Sequence, residues 1–175
     1  VTPFPLPRKL EALYFSNLNL QYDIKKYEIV NNRVLSHLDL SANGIKGFYG
    51  PVYGVPSLRH LDLSRNYCFY VHPLFFSEML SLRTLLLYNN KLGRSFAKDE
   101  EGITFSALAL LEILDLSSNV IEDLPKATFK NNANLHLLNL SNNGLSQFQP
   151  TLVNQTNLQT LDLSYNFLKC FSKTT

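Results

Sequence analysis

The sequence holds no tryptophan, one methionine and two cysteines in 175 residues. With so few cysteines a disulfide framework is excluded, and without a C-x-x-C pair so is a structural zinc site. No run approaches the ~18 to 20 apolar residues of a membrane span, and the first ten residues, VTPFPLPRKL, lack the basic start and long apolar centre of a signal peptide. There is no G-x-S-x-G, no phosphate-cradling glycine loop and no H-E-x-x-H. Cysteine and histidine have no third residue placed to orient them. The expectation is therefore a chain with no catalytic residues, no cofactor and no metal. Net charge is also small, at +2, but unevenly spread: residues 1–98 carry 12 basic and 6 acidic side chains, and residues 99–175 carry 4 and 8. Such polarity can steer an acidic ligand towards the N-terminal half, although scattered solvated lysines explain it as well.

What the chain has is leucine at fixed spacing. In LEILDLSSNVI, from Leu111 to Ile121, leucines at the first, fourth and sixth places are followed by Asn119. The template L-x-x-L-x-L-x-x-N-x-L lands again at Leu35, Leu58, Leu82, Leu135 and Leu158, and more weakly at Leu10, where Leu18 replaces the asparagine. The steps between first leucines are 25, 23, 24, 29, 24 and 23 residues. Self-similarity at this period is the signature of a leucine-rich repeat solenoid. The expected fold is α/β: a curved parallel sheet on the concave face, one short strand per repeat, and an irregular or short-helical convex side. At ~4.8 Å per strand, seven strands span roughly 30 Å. Residues 1–175 are read as a single array of about seven repeats, and the missing caps mark it as an uncapped fragment of a longer array.

Phe76, Phe105 and Phe129 each stand six residues before a first leucine and should stack into a spine beneath the convex surface. Ile29, Tyr53 (nearby), Leu152 and Phe4 fill the same place in the other repeats. Asn43, Asn66, Asn90, Asn119, Asn143 and Asn166 follow each strand where the chain turns out of the sheet. An amide both donates and accepts, so these asparagines should form a structural ladder that satisfies buried turn backbone. Leu18 cannot do this, so the first turn should be looser or differently built. The step of 29 inserts about five residues into 93–104, GRSFAKDEEGIT, expected as a projecting loop. The segment IKKYEIV, 24–30, is expected to make a short convex helix. Cys68 and Cys170 lie four repeats apart, ~20 Å at ~5 Å per repeat, and should not pair. Cys68 reads as a small buried hydrophobe. Asn139 and Asn154 each begin an Asn-x-Ser/Thr glycosylation acceptor.

The outward residues of the strands give the concave face in columns. One column is Tyr14, Asp39, Asp62, Leu86, Asp115, Asn139 and Asp162; the residues two places earlier are Ala12, His37, His60, Thr84, Ile113, Leu137 and Thr160. A third column is serine except at Tyr88. His37, Asp39, His60 and Asp62 form a two-by-two patch whose imidazoles can change charge between pH ~5 and ~8; a divalent metal is the weaker reading of the same residues, and ordinary exposed side chains the plainest. Leu86, Tyr88, Ile113 and Leu137, with Asp115 facing the same way, interrupt the polar columns with an apolar cluster. Such a patch marks a binding surface, so a protein or ligand contact is expected here.

The runs LDLSANGI, LDLSRNYC, LDLSSNVIEDLPKATF and LNLSNNGL, with their phenylalanine spine, resemble the repeats of Toll-like receptor ectodomains over nearly the whole chain. Matrix proteoglycans and guidance proteins share parts of the pattern. The G-x-I-P of plant receptor kinases is missing. The resemblance implies an innate-immune pattern-recognition receptor, with a protein or microbial ligand on the concave or lateral face and homodimerisation or heterodimerisation. It also implies an extracellular or endosomal location, and a membrane span in parts of the parent protein not present here. The alternative is a secreted or matrix leucine-rich repeat protein with an adhesive or structural role.

Overall fold

The computed structural model describes residues 6–25, 28–29 and 32–169. Phe4, Cys170 and the side chain of Ile29 lie outside them. In chain order the elements are β1 (Ala12–Tyr14), β2 (Glu28–Ile29), β3 (His37–Asp39), β4 (Gly47–Phe48), β5 (Val52–Tyr53), β6 (His60–Asp62), β7 (Tyr70–Val71), β8 (Thr84–Leu86), α1 (Gly93–Phe96), β9 (Ile113–Asp115), β10 (Leu137–Asn139) and β11 (Thr160–Asp162).

A three-residue strand is too short to persist alone, and each one here is held by neighbours. The seven L-x-L strands form one parallel sheet in the order β1-β3-β6-β8-β9-β10-β11. Their register sets equivalent residues side by side, so Leu13, Leu38, Leu61, Leu85, Leu114, Leu138 and Leu161 line one inner row. All but Leu161 are buried. Each fully buried leucine contributes on the order of 2 kcal/mol, which no single repeat collects without the next.

The asparagine ladder forms as expected. Asn119 Nδ2 donates to the carbonyls of Leu87 in the preceding repeat (2.9 Å) and Leu116 in its own (3.2 Å), and its Oδ1 accepts the Leu92 N–H at 3.3 Å. Asn66, Asn90, Asn143 and Asn166 repeat the pattern. Leu18 offers no amide, yet the first turn keeps the regular backbone: Asn17 before it is left-handed (φ 56°), and Asn43 of the next repeat accepts the Leu18 and Leu20 N–H groups at 3.1 and 3.0 Å, as Asn143 accepts those of Asn119 and Ile121. Leu18 itself points out, 55% exposed. The residue before each ladder asparagine takes a left-handed backbone, with φ of 53–55° at Ala42, Arg65, Asn89, Ser118, Asn142 and Tyr165.

A second row of amides lies at the opposite turn, three residues before a first leucine. Asn32, Asn132 and Gln155 are buried. Asn32 donates to Pro7 and Leu10 carbonyls, Asn132 to Phe105 and Leu108, and Gln155 to Phe129.

The phenylalanine spine is present. Phe76 and Phe105 stack at 6.2 Å between ring centroids, and Phe105 and Phe129 do so at the same distance. Leu152 packs against the core from a partly buried position. Cys68 is buried and free, its thiol donating to the Tyr70 carbonyl at 3.1 Å.

Two expectations on the convex side are corrected. The segment from Ile24 makes no helix among its described residues: Ile24 bridges Phe48, and β2 pairs with β5. Ile24 is buried beside Phe48, and extended pairing satisfies its backbone through Ile24 N–H to Gly47 (3.0 Å) and Tyr49 N–H to Ile24 (2.7 Å). The insertion does not project as a loop. It begins as α1, buries Phe96, and closes around the buried Asp99, whose two carboxylate oxygens accept the N–H groups of Ile103 (2.8 Å) and Thr104 (2.9 Å). Its glycines let it lie against the next repeat, since a Cβ on Gly93 would stand 2.0 Å from the Val120 carbonyl oxygen and one on Gly102 (φ +63°) 2.1 Å from that of Ala127.

Candidate functional site

The register places the concave columns as the spacing required: Ala12, His37, His60, Thr84, Ile113, Leu137 and Thr160 in one line, and Tyr14, Asp39, Asp62, Leu86, Asp115, Asn139 and Asp162 in the next. The carboxylates are not free groups. Oδ1 of Asp39, Asp62, Asp115 and Asp162 accepts the N–H of Ser41, Ser64, Ser117 and Ser164 at 2.8–2.9 Å, fixing the strand exits. Hydrogen bonds from Ser164 hold the Asp162 carboxyl below its usual range. Asn139 substitutes an amide for the same task, accepting Ser141 N–H at 3.0 Å and Ser141 Oγ–H at 2.7 Å.

Between the two halves of that column the chemistry changes. Leu86 has no acceptor to offer, and its register partner on β9 is Asp115. Ile113, 36% exposed, is flanked in register by Thr84 on β8 and Leu137 on β10. Leu86, Leu137 and Tyr88 are half-buried. Ile113 and Leu137 are thus register neighbours, and Leu86 stands diagonally across from Ile113, with Asp115 and Thr84 at the other two corners. Asp115 is pinned at the edge of the cluster, Oδ1 by Ser117 and Oδ2 by Asn139 Nδ2 at 3.1 Å.

Two neighbours escape sequence reasoning. The Arg65 guanidinium lies 5.5 Å from the Tyr88 ring centroid, within cation–π range. Arg83 and Glu112, the residues just before Thr84 and Ile113, form an exposed ion pair bordering the cluster. The repeat alignment carried a signal for the second, because opposite charges occupy the same place in consecutive repeats.

In the histidine patch the rings of His37 and His60 stack at 5.7 Å with 25° between planes. His37 Nδ1 is 2.8 Å from Ser36 Oγ. Among the described residues no group of three or more His, Cys, Asp or Glu side chains is placed to hold a metal ion. Of the two glycosylation acceptors, Asn139 is half-buried on the sheet, whereas Asn154 is exposed at a turn, its Nδ2 3.3 Å from the Lys130 carbonyl.

The leucine-rich repeat family model matches residues 134–155 and 157–174. Toll-like receptor 4 of Pinctada imbricata is 37% identical over 145 residues, which cover 83% of this chain and 16% of that receptor. Podocan of Mus musculus is 28% identical over 157 residues, 81% of this chain and 24% of podocan. Among solved structures, the TLR13–ssRNA13 complex superposes with a TM-score of 0.70 at 30% identity, covering 85% of this chain and 21% of that one. The chain therefore spans no more than about a quarter of these relatives' lengths. With its parallel sheet, asparagine ladder and phenylalanine spine, the chain belongs to the leucine-rich repeat proteins, and its repeats are similar to those of Toll-like receptor ectodomains.

Proposed function

We propose that this array is a ligand-recognition and dimerisation module within the ectodomain of an innate-immune pattern-recognition receptor, facing the extracellular space or the endosomal lumen. The observation that carries this reading is the break in the concave columns. Six strands out of seven present a polar or aromatic residue where β8 presents Leu86, and the adjoining Ile113 and Leu137 extend the apolar surface across three strands. A purely structural sheet has no need to leave such a patch in water, and patches of this kind mark binding sites. Leu86, Tyr88, Ile113 and Leu137 supply apolar contact. Asp115 meets the partner as an oriented carboxylate. The similarity to the TLR13–ssRNA13 complex supports ligand binding by an array of this kind; the similarity to podocan keeps open the second reading, a secreted or matrix protein with an adhesive or structural role.

Light scattering on the parent ectodomain separates the two. Challenged with a panel of microbial nucleic acids, lipids and proteins, a receptor shows saturable binding of one class accompanied by a doubling of mass. Binding of a matrix protein partner with no change in the array's own oligomeric state would favour the adhesive reading.

His37 and His60 are proposed as a pH-responsive part of the same face. Their neighbours are Asp39 and Asp62 on the same strands, Ser36 and Arg59 one residue before each, Ala12 and Tyr14 on β1 with Glu11 before them, and Thr84 and Leu86 on β8 with Arg83 before them. The two imidazoles stack on neighbouring strands and would act on a charged ligand together, so binding of an acidic ligand should depend on pH. The His37→Gln/His60→Gln variant should bind with a flat profile, and a pH dependence surviving in that variant would remove the proposal. Asn139 and Asn154 are proposed as glycan acceptors. A glycan on Asn139 would replace its hydrogen bond to Asp115 and stand over the patch, whereas one on Asn154 would leave the face open; glycopeptide mass spectrometry of the secreted protein distinguishes them.

A further inference from the structure

A cavity of about 570 Å³ opens beside the insertion, within the size range of small-molecule sites. None of its lining residues belongs to the seven-stranded sheet, so it is separate from the concave face. One wall is aromatic: Phe69 is 54% exposed, and the Tyr49 and Tyr70 rings lie 5.2 Å apart at 32°. The other wall is α1 and the turn after it, which carry Arg94, Lys98 and Asp99. The walls are tied together by the Val71 N–H, which donates to Ser95 Oγ at 3.0 Å.

The cavity is polarised. Asp99 is turned inwards, both oxygens accepting backbone N–H groups. Arg94 and Lys98 are exposed and make no ion pair among the described residues; the pair present there joins Arg83 to Glu112. Tyr49 lies in the aromatic wall, and burial, with the charge of Asp23, raises its phenol above its usual pKa. An adjoining cavity of about 580 Å³ shares Phe69 and Arg94 and is also lined by Lys91, Glu122 and Asp123, so its two carboxylates offset its two cations. In the first cavity the two exposed cations, Arg94 and Lys98, favour an anionic group, with the aromatic wall facing them.

We propose that this flank cavity binds a small planar apolar molecule carrying one acidic group, its ring against Phe69, Tyr49 and Tyr70 and its carboxylate or phosphate on Arg94 and Lys98. The site does not depend on the concave reading, and either can fail alone. A planar ring gains from stacking on aromatic side chains, and an anion on Arg and Lys gains charge-assisted hydrogen bonds.

The test is calorimetric titration of the chain with 2-naphthyl phosphate and 2-naphthoate, beside neutral 2-naphthylmethanol and inorganic phosphate. Saturable one-site binding of at least one acid is expected, with the neutral ring and the bare phosphate each weaker by about tenfold or more. The relative affinity of the two acids shows which anion the site prefers. Arg94→Glu/Lys98→Glu should lose at least about tenfold in affinity, with an unchanged circular dichroism spectrum and melting curve; Lys98→Glu alone should lose part of it should the double variant prove unstable. Phe69→Ala should weaken both acids, and Leu86→Asp on the concave face neither. Absence of saturable binding by the intact chain, equal binding of the neutral ring, or unchanged affinity in the folded charge-reversed variant would overturn the proposal.

Discussion

Asn119 is fully buried, with its amide bonded to backbone in its own repeat and in the one before. Replacing it with alanine leaves the Leu92 N–H without an acceptor where water has no access, a cost of roughly 1–3 kcal/mol, and takes one of two donors from the Leu87 and Leu116 carbonyls, which keep Asn90 and Asn143. Asn119→Ala should therefore lower stability by about 2 kcal/mol in chemical denaturation, whereas exposed Asn131→Ala, whose Nδ2 makes one surface bond to Ser106, should lie within about 0.5 kcal/mol of the parent. Cys68 gives a test by reactivity. Burial pushes its thiol up to about 12, so the thiolate that reacts is scarce at every pH below that value. In the folded chain Cys68 should resist alkylation at pH 8 and become modified in denaturant, as peptide mapping would record. The ladder was legible in the sequence because one residue type recurred at one place. The second amide row was not, because its position is held by Asn32, Val55, Met79, Leu108, Asn132 and Gln155 in turn: an apolar residue fills that turn as well as an amide does, so no letter repeats.

At the scale of elements, the strands were readable from the L-x-L alternation, and the ring spine from the six-residue spacing. The convex side was not. Ile24 and the residues after it have a composition that either a helix or an extended segment accepts, and what decides between them is the edge offered by Gly47–Phe48 in the next repeat. The insertion looked like a solvated loop because KDEE is charged, yet one of its carboxylates, Asp99, is the centre about which it folds. Asp99→Ala should strip the Ile103 and Thr104 N–H groups of their acceptor and cost about 2 kcal/mol. Hydrogen exchange would show whether the effect is local. The expected pattern is faster exchange across 93–104 and little change in β1 and β3, since coupling in a repeat array is chiefly between neighbours. The same segment forms the wall of the flank cavity, so this variant should also lose 2-naphthyl phosphate binding.

At the scale of the whole molecule, repetition supplies its own controls. Asp at the Leu86 place, Ser at the Tyr88 place and Thr at the Ile113 and Leu137 places all occur in other repeats with the same backbone, so those substitutions rewrite the surface without asking the fold for anything it does not already do. This regularity made the apolar cluster legible as a departure from pattern, while Arg65 over Tyr88 and the Arg83–Glu112 pair needed side-chain positions. The most direct measurement takes a ligand class that the unsubstituted array binds and titrates it into Leu86→Asp/Tyr88→Ser/Ile113→Thr/Leu137→Thr. With the melting temperature held near that of the parent, affinity should fall by about a hundredfold or more, the scale of a lost hot-spot cluster. Undiminished binding to that folded variant would place recognition elsewhere and contradict the concave cluster as the site.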